Sequence, residues 1–110
     1  MASENVKEFT DGNFESEVLG AEVPVLVDFW AEWCQPCRIL SPTIDELAGE
    51  FAGRVKVGKV DTDSNREISM KYGISAIPTV ILFKGGQVAG KFIGLTKKQD
   101  LAAAMNDAAG

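Results

Sequence analysis

Residues 23–51 read VPVLVDFWAEWCQPCRILSPTIDELAGEF, and the period of the apolar residues changes partway along. Val23 to Ala31 is a nearly continuous apolar run, interrupted only by Pro24 and Asp28. Such a run suits a central strand covered on both faces. From Cys34 to about Phe51 the apolar positions Cys37, Leu40, Ile44, Leu47 and Phe51 recur in alternating steps of three and four, the stripe of an amphipathic helix. Cys34 therefore stands where a strand gives way to a helix, and Cys37 heads the buried stripe. Pro42 falls inside that helix, where it lacks an N–H and crowds the preceding turn, so a kink is expected there.

The flanking segments continue the alternation. Arg54 to Asp61, with Val55, Val57 and Val60, reads as the next strand. Strand, long helix and strand make a βαβ unit, expected to be parallel with a right-handed crossover. Upstream, Val6 to Phe9 predicts a short first strand, and Thr10 or Asp11 caps a helix carrying Phe14 and Val18 on one face. Downstream, a short helix is predicted around Arg66 to Tyr72, with Ile68 and Tyr72 on one side. Thr79–Phe83 and Gln87–Ile93 form a hairpin across Gly85 and Gly86, and Gly90 marks a bulge or an edge position. Thr96 caps a last helix carrying Leu101, Met105 and Ala108. The expected fold is α/β, a mixed central sheet with helices on both faces, in one domain spanning residues 1–110.

At 110 residues and 45% hydrophobic, the chain can bury a core without staples, so its two cysteines are not needed to hold the fold together. Sixteen acidic against eleven basic residues give a net charge of −5, which argues against nucleic acid and anionic membrane surfaces as partners. Met1 to Phe9 has no apolar signal core, and Val23–Ala31 is too short to cross a bilayer. A cytoplasmic, monomeric protein is expected. In that compartment a close cysteine pair reads as catalytic or metal-binding rather than as a staple.

Zinc or an iron–sulfur cluster needs about four ligands, and this chain has two cysteines and no histidine. A passive disulfide from Cys34 to Cys37 closes too small a loop to remove much unfolded-state entropy. Redox chemistry accounts better for the placement. At a helix start, unpaired N–H groups and the positive end of the dipole favour a thiolate at Cys34. One sulfur is expected to face solvent and the other to sit beneath it, an arrangement for attack and then resolution. Asp28 is a lone carboxylate in an apolar run. If buried rather than solvated at a strand end, its pKa rises and it becomes a proton acceptor for Cys37.

The segment Trp33-Cys34-Gln35-Pro36-Cys37, preceded by Asp28-Phe29-Trp30-Ala31, resembles the active-site segment of the thioredoxin family. Lys71-Tyr72-Gly73-Ile74, Ile77-Pro78-Thr79, Phe83-Lys84 and Gly94 extend the resemblance along nearly the whole chain. It implies a four- or five-stranded mixed sheet and a protein-disulfide reductase that holds no separate cofactor. Its redox group is the disulfide Cys34–Cys37, which draws electrons from NADPH through a separate thioredoxin reductase. It implies disulfide-containing proteins as partners and a role in electron transport and cell redox homeostasis. It also implies that Lys59 lies near Asp28, although by residue type alone Lys59 reads as an exposed strand position. Pro78 is implied to be cis and to face the cysteines. Trp33, Ala76, Ile77, Pro78, Ile93 and Gly94 are implied to form a shallow apolar surface for an extended partner segment. By residue type alone, Ile77 and Ile93 fit an ordinary core equally well, and Trp30 is read as support for the site.

Two positions modulate the expectation. Gln35 stands where reducing members of the family usually carry glycine; it is the better helix former and stiffens the first turn. Pro36 lacks an N–H, so one donor to the Cys34 sulfur is missing. Members that act as oxidants or isomerases usually have histidine there. Without that cation the thiolate is less stabilised, and the couple leans toward donating electrons. The alternatives are an isomerase or oxidase, or a redox-silent binding module of the same fold.

Overall fold

The computed structural model describes residues 4–110; Met1–Ser3, part of the stretch read above for a signal and of the 1–110 domain, lie outside the described residues. Strand β2, Val25–Trp30, is buried along its length up to the half-buried Trp30. The cause is its central place. The chain runs β1 (Val6–Glu8), a helical turn (Glu15–Leu19), β2, α1 (Gln35–Glu50), β3 (Lys56–Asp61), α2 (Arg66–Lys71), β4 (Thr79–Lys84), β5 (Gln87–Ile93) and α3 (Lys98–Ala109). The strands form a five-stranded sheet in the order β1-β3-β2-β4-β5. β1, β3 and β2 are parallel, whereas β4 runs antiparallel to both β2 and β5. Asp28 thus lies opposite Lys59 on one side and Val80 on the other.

Side chains alternate across a strand, and the two faces of β2 enter two different cores. Leu26, with Val57, Val80 and Leu82, packs under α1 and α3 through Leu40, Ile44, Leu47, Leu101 and Met105. Val25, Val27 and Phe29 pack with Val60, Ile81 and Phe83 against Phe14, Val18, Ile68 and Tyr72. Phe83 makes edge-on ring contacts with Phe14 at 5.6 Å and with Tyr72 at 5.3 Å. The expected mixed sheet with helices on both faces is what these two cores require. By the same alternation Asp28 and Trp30 share the face of Leu26, so they project toward α1.

The helix expected after Thr10 is a single wide turn, in which the Gly20 N–H reaches the Glu15 carbonyl at 2.8 Å, five residues back. Thr10 Oγ1 accepts from the Asn13 N–H at 3.2 Å in the turn that leads into it, and the Glu15–Leu19 turn itself has no side-chain cap. Asp11 does something else. Its Oδ1 accepts from the Ile68 N–H at 3.0 Å, while its own N–H donates to Asn65 Oδ1 at 2.9 Å. Asp11 thereby caps α2 from 57 residues away.

Helix α1 starts from Cys34 as N-cap, with Pro36 in its first turn, and continues through the exposed Pro42. Thr96 does not cap α3, contrary to expectation. The residue before that helix is Lys97, which makes no side-chain cap bond, and Thr96 Oγ1 donates instead to the Gly94 carbonyl at 3.2 Å. The β4–β5 hairpin turns on Gly85 and Gly86, with φ of +61° and +79°. Leu82 pairs with Gly90 but Phe83 with Val88, so Ala89 is the extra residue of a bulge beside Gly90. Among the described residues no helix is long and apolar enough to cross a membrane.

Gly58, buried in β3, has no room for a side chain. A Cβ there would sit 2.4 Å from the Phe9 ring and 2.8 Å from the Lys7 carbonyl oxygen. Gly58→Ala is expected to cost about 2–3 kcal/mol by forcing Phe9 and β1 apart, measurable as a lower urea midpoint at unchanged slope. A midpoint equal to that of the native chain would show that β1 yields without loss.

Candidate functional site

The site grows from the junction of β2 and α1. After Trp30 the chain turns so that the Cys34 N–H bonds the Ala31 carbonyl at 3.2 Å, and Cys34 takes extended angles before the helix begins. Its sulfur is then presented to the free N–H groups of the first helical turn. Pro36 offers none, and the Cys37 N–H reaches Cys34 Sγ at 3.2 Å. The two cysteines are joined as a disulfide, with Cα atoms 5.3 Å apart.

Exposure of the two sulfurs departs from expectation. Cys34 retains 4% of its surface and Cys37 3%, so neither faces solvent openly in the disulfide form. Trp30 and Ile77 pack against Ala31, Cys34 and Cys37 and cover the pair. Cys34 is nevertheless the sulfur turned toward the Ile77 segment, with Sγ 3.8 Å from the Ile77 carbonyl oxygen.

Asp28 is buried, not solvated, with 1% of its surface exposed and neither carboxylate oxygen in a hydrogen bond within the described structure. Desolvation pushes its pKa up to about 7, and the positive charge of Lys59 pulls in the opposite direction. Lys59 is half-buried, not the exposed strand residue its type predicts. Its Nζ donates to Ser41 Oγ at 2.7 Å and lies 5.6 Å from the centre of the Trp30 ring.

The other residues expected at the site differ in exposure. Trp33 is 71% exposed, and its indole Nε1 donates to Asp63 Oδ2 at 2.8 Å. Ile93 is 65% exposed, so it is surface rather than core, while Ile77 is half-buried against the cysteines and Ala76 is exposed. The Ile77–Pro78 peptide is cis. The Gly94 N–H donates to the Pro78 carbonyl at 2.8 Å, which ties the end of β5 to the segment before β4. Gly94 has φ of +84°, a backbone conformation that favours glycine. Gln35 and Pro36 are both exposed on the first turn of α1.

The structure adds residues that the sequence did not single out. Ser41 stands four positions beyond Cys37 on one helix face, a spacing that could have drawn notice. Asp63, and the Arg38 guanidinium that donates to the Glu32 carbonyl at 2.8 Å, carry no sequence signal. Among the described residues no group of three or more His, Cys, Asp or Glu side chains is placed to hold a metal ion.

A helix N-terminus holding a closely spaced disulfide pair, with a buried acid on the strand that leads into it, is equipped for thiol–disulfide exchange. Known proteins agree with that chemistry. The thioredoxin family profile matches residues 5–107. Thioredoxin 1 of Nostoc is 50% identical over 93 residues, covering 84% of this chain and 87% of its own. The thioredoxin of Rickettsia bellii is 51% identical over 98 residues, 89% of this chain and 93% of its own. That of Pseudomonas aeruginosa is 46% identical over 101 residues, 92% and 94% of the two chains. With the match running from β1 through α3, the chain belongs to the thioredoxin family, and it is a protein-disulfide reductase whose redox group is the Cys34–Cys37 disulfide.

Proposed function

We propose that Cys34 is the attacking sulfur and Cys37 the resolving one. The observation that supports this most is the Cys37 N–H directed at Cys34 Sγ, which stabilises negative charge on Cys34 rather than on Cys37. The cycle starts from the dithiol. The Cys34 thiolate attacks one sulfur of a partner's disulfide, a Cys34–partner S–S bond forms, and the partner's other sulfur leaves with the electron pair as a thiolate. Cys37 then gives its proton to Asp28 and attacks the Cys34 sulfur. The Cys34–partner bond breaks, the second partner sulfur leaves as a thiolate, and the Cys34–Cys37 disulfide closes. Two electrons have passed to the partner. Asp28, with a pKa near 7, is poised to hold and return a proton at neutral pH. Lys59 tempers that pKa.

Trp33, Ala76, Ile77, Pro78, Ile93 and Gly94 hold an extended partner segment across the disulfide, and Gln35 and Pro36 line the near side of the path. Electrons return from NADPH through a separate thioredoxin reductase. The chain works as one thioredoxin-like domain, a cytoplasmic monomer serving electron transport and redox homeostasis. The reduction potential tests its direction of work. Equilibration of the Cys34–Cys37 couple against glutathione is expected to give about −270 mV, the value typical of thioredoxins as a class. A value at or above about −180 mV would make it an isomerase or oxidase and would implicate Gln35. Absence of a reversible couple would leave a binding module.

A further inference from the structure

Neither carboxylate oxygen of the buried Asp28 has a hydrogen-bond partner among the described residues, while Lys59 stands across the ladder from it. The ammonium of Lys59 is bonded elsewhere, to the hydroxyl of Ser41 at 2.7 Å. Ser41 lies on α1, one turn beyond Cys37, so the bond ties the cation to the helix that carries the resolving cysteine. We propose that Ser41 is a positioning residue: its hydroxyl anchors the Lys59 ammonium inside the protein, between α1 and the sheet, where the charge acts on Asp28 without bonding it. This rests on the role given above to Asp28 as proton acceptor.

The physical case has two parts. Lysine carries four flexible methylenes and tends to extend its head into water. A cavity of about 330 Å³, lined by Val6, Lys7, Glu8, Trp30, Lys59 and Asp61, offers Lys59 such an exit. Of its lining residues, Glu8 and Asp61 are acidic and favour an ammonium there, and Lys7 is basic and disfavours one. The Trp30 ring, 5.6 Å from Nζ, is a weak inward hold. The Ser41 hydroxyl is the hydrogen-bonded one. On the α1 side, Ser41 borders Arg38 and Asp45. The Arg38 guanidinium is engaged by the Glu32 carbonyl at 2.8 Å. From β4, the residue opposite Asp28 is the apolar Val80. Cys37, one turn before Ser41 on α1, is disulfide-bonded and so does not titrate in this form.

Removing the anchor frees the ammonium to move outward. Burial then acts on Asp28 with less opposition from the cation, and its titration moves upward. The experiment follows the Asp28 carboxyl carbon by NMR against pH in the disulfide form, for the native chain, Ser41→Ala, Ser41→Thr, Lys59→Met and the Ser41→Ala/Lys59→Met pair. Ser41→Ala is expected to raise the Asp28 midpoint by about half a pH unit. Ser41→Thr, which keeps the hydroxyl, is expected to restore it. Ser41→Ala is expected to add nothing once Lys59 is methionine. An unchanged midpoint overturns the proposal, as does a lowered one, which would mean that Ser41 holds the lysine off Asp28 rather than in place. An effect that persists without Lys59 overturns it equally. The pH profile of partner release from the mixed disulfide, measured on the same variants, separates this from the role of Asp28. If the midpoint rises and the release profile stays still, Ser41 positions Lys59 but Asp28 is not the acceptor.

Discussion

Cys37→Ser is expected to arrest the protein on its partners. With serine at position 37, Cys34 still sits at the start of α1 and still attacks, but the step that frees the partner has lost its nucleophile. A hydroxyl does not ionise near neutral pH and cannot displace sulfur from a disulfide as a thiolate does. Turnover with a protein disulfide is expected to fall on the order of a thousandfold or more, because the two sulfurs act as one unit. A mixed disulfide through Cys34 accumulates in its place. Intact-mass measurement after mixing with a disulfide-containing protein is expected to show one partner per chain, released by a small thiol reductant. Cys34→Ser is expected to lose turnover to the same extent and to form no such adduct. An adduct on Cys34→Ser, with none on Cys37→Ser, would reverse the two assignments. The bond from the Cys37 N–H to Cys34 Sγ would then be a feature of the disulfide form alone.

Asp28→Asn is expected to strengthen the fold and slow the chemistry together. In the folded protein Asp28 keeps its proton up to about pH 7, whereas in the unfolded chain it loses it near 3.8. Between those values the folded state binds more protons than the unfolded one, so stability falls as pH rises through that window. Below it the acid is neutral in both states and costs nothing; above it the penalty is full and level. At about 1.4 kcal/mol per pH unit the gap corresponds to on the order of 4 kcal/mol. Asparagine has nearly the same shape and no charge. The variant is expected to match the native chain near pH 3.5 and to exceed it by several kcal/mol at pH 8, where urea unfolding reads the difference. Release of the partner is expected to slow at least about tenfold at neutral pH and to lose its dependence on an ionisation near 7. Stability curves that stay parallel between pH 4 and 8 would mean that the carboxylate is solvated in the folded protein.

Much of this arrangement is readable in the chain because it is local. The junction of an apolar run with a helical stripe at Cys34 places the disulfide, and a single acid inside that run marks Asp28. Both inferences need only neighbours in sequence. What escapes does so because it depends on distant partners. Asp11 looks like the cap of the turn that follows it, yet its carboxylate serves α2, because the fold brings the Ile68 N–H within bonding distance and the Asn13 N–H is taken by Thr10. Thr96 looks like the cap of α3, but its hydroxyl bends back to Gly94 and leaves the first turn to Lys97. Lys59 reads as a surface strand residue, and only packing against Trp30 and Ser41 draws it in. The near-complete cover of Cys34 is equally out of reach, since Ile77, whose carbonyl meets the sulfur, stands 43 residues further along the chain. The partner surface proposed at residues 33, 76–78 and 93–94 follows from likeness to a family and not from spacing.

The borders of the sheet bear on what the protein refuses to hold. A protein that acts on disulfide-containing partners runs the risk of pairing their loose segments with its own sheet, where unpaired N–H and C=O groups form a template. Here one border, β1, offers only three residues. The other, β5, is broken at Ala89 by the bulge, and its exposed positions include Gln87 and Lys91. A short border gives a visiting strand too few bonds, and a bulged one bends the row it would need to match. Extended chains are thereby discouraged from lodging at the periphery of the sheet.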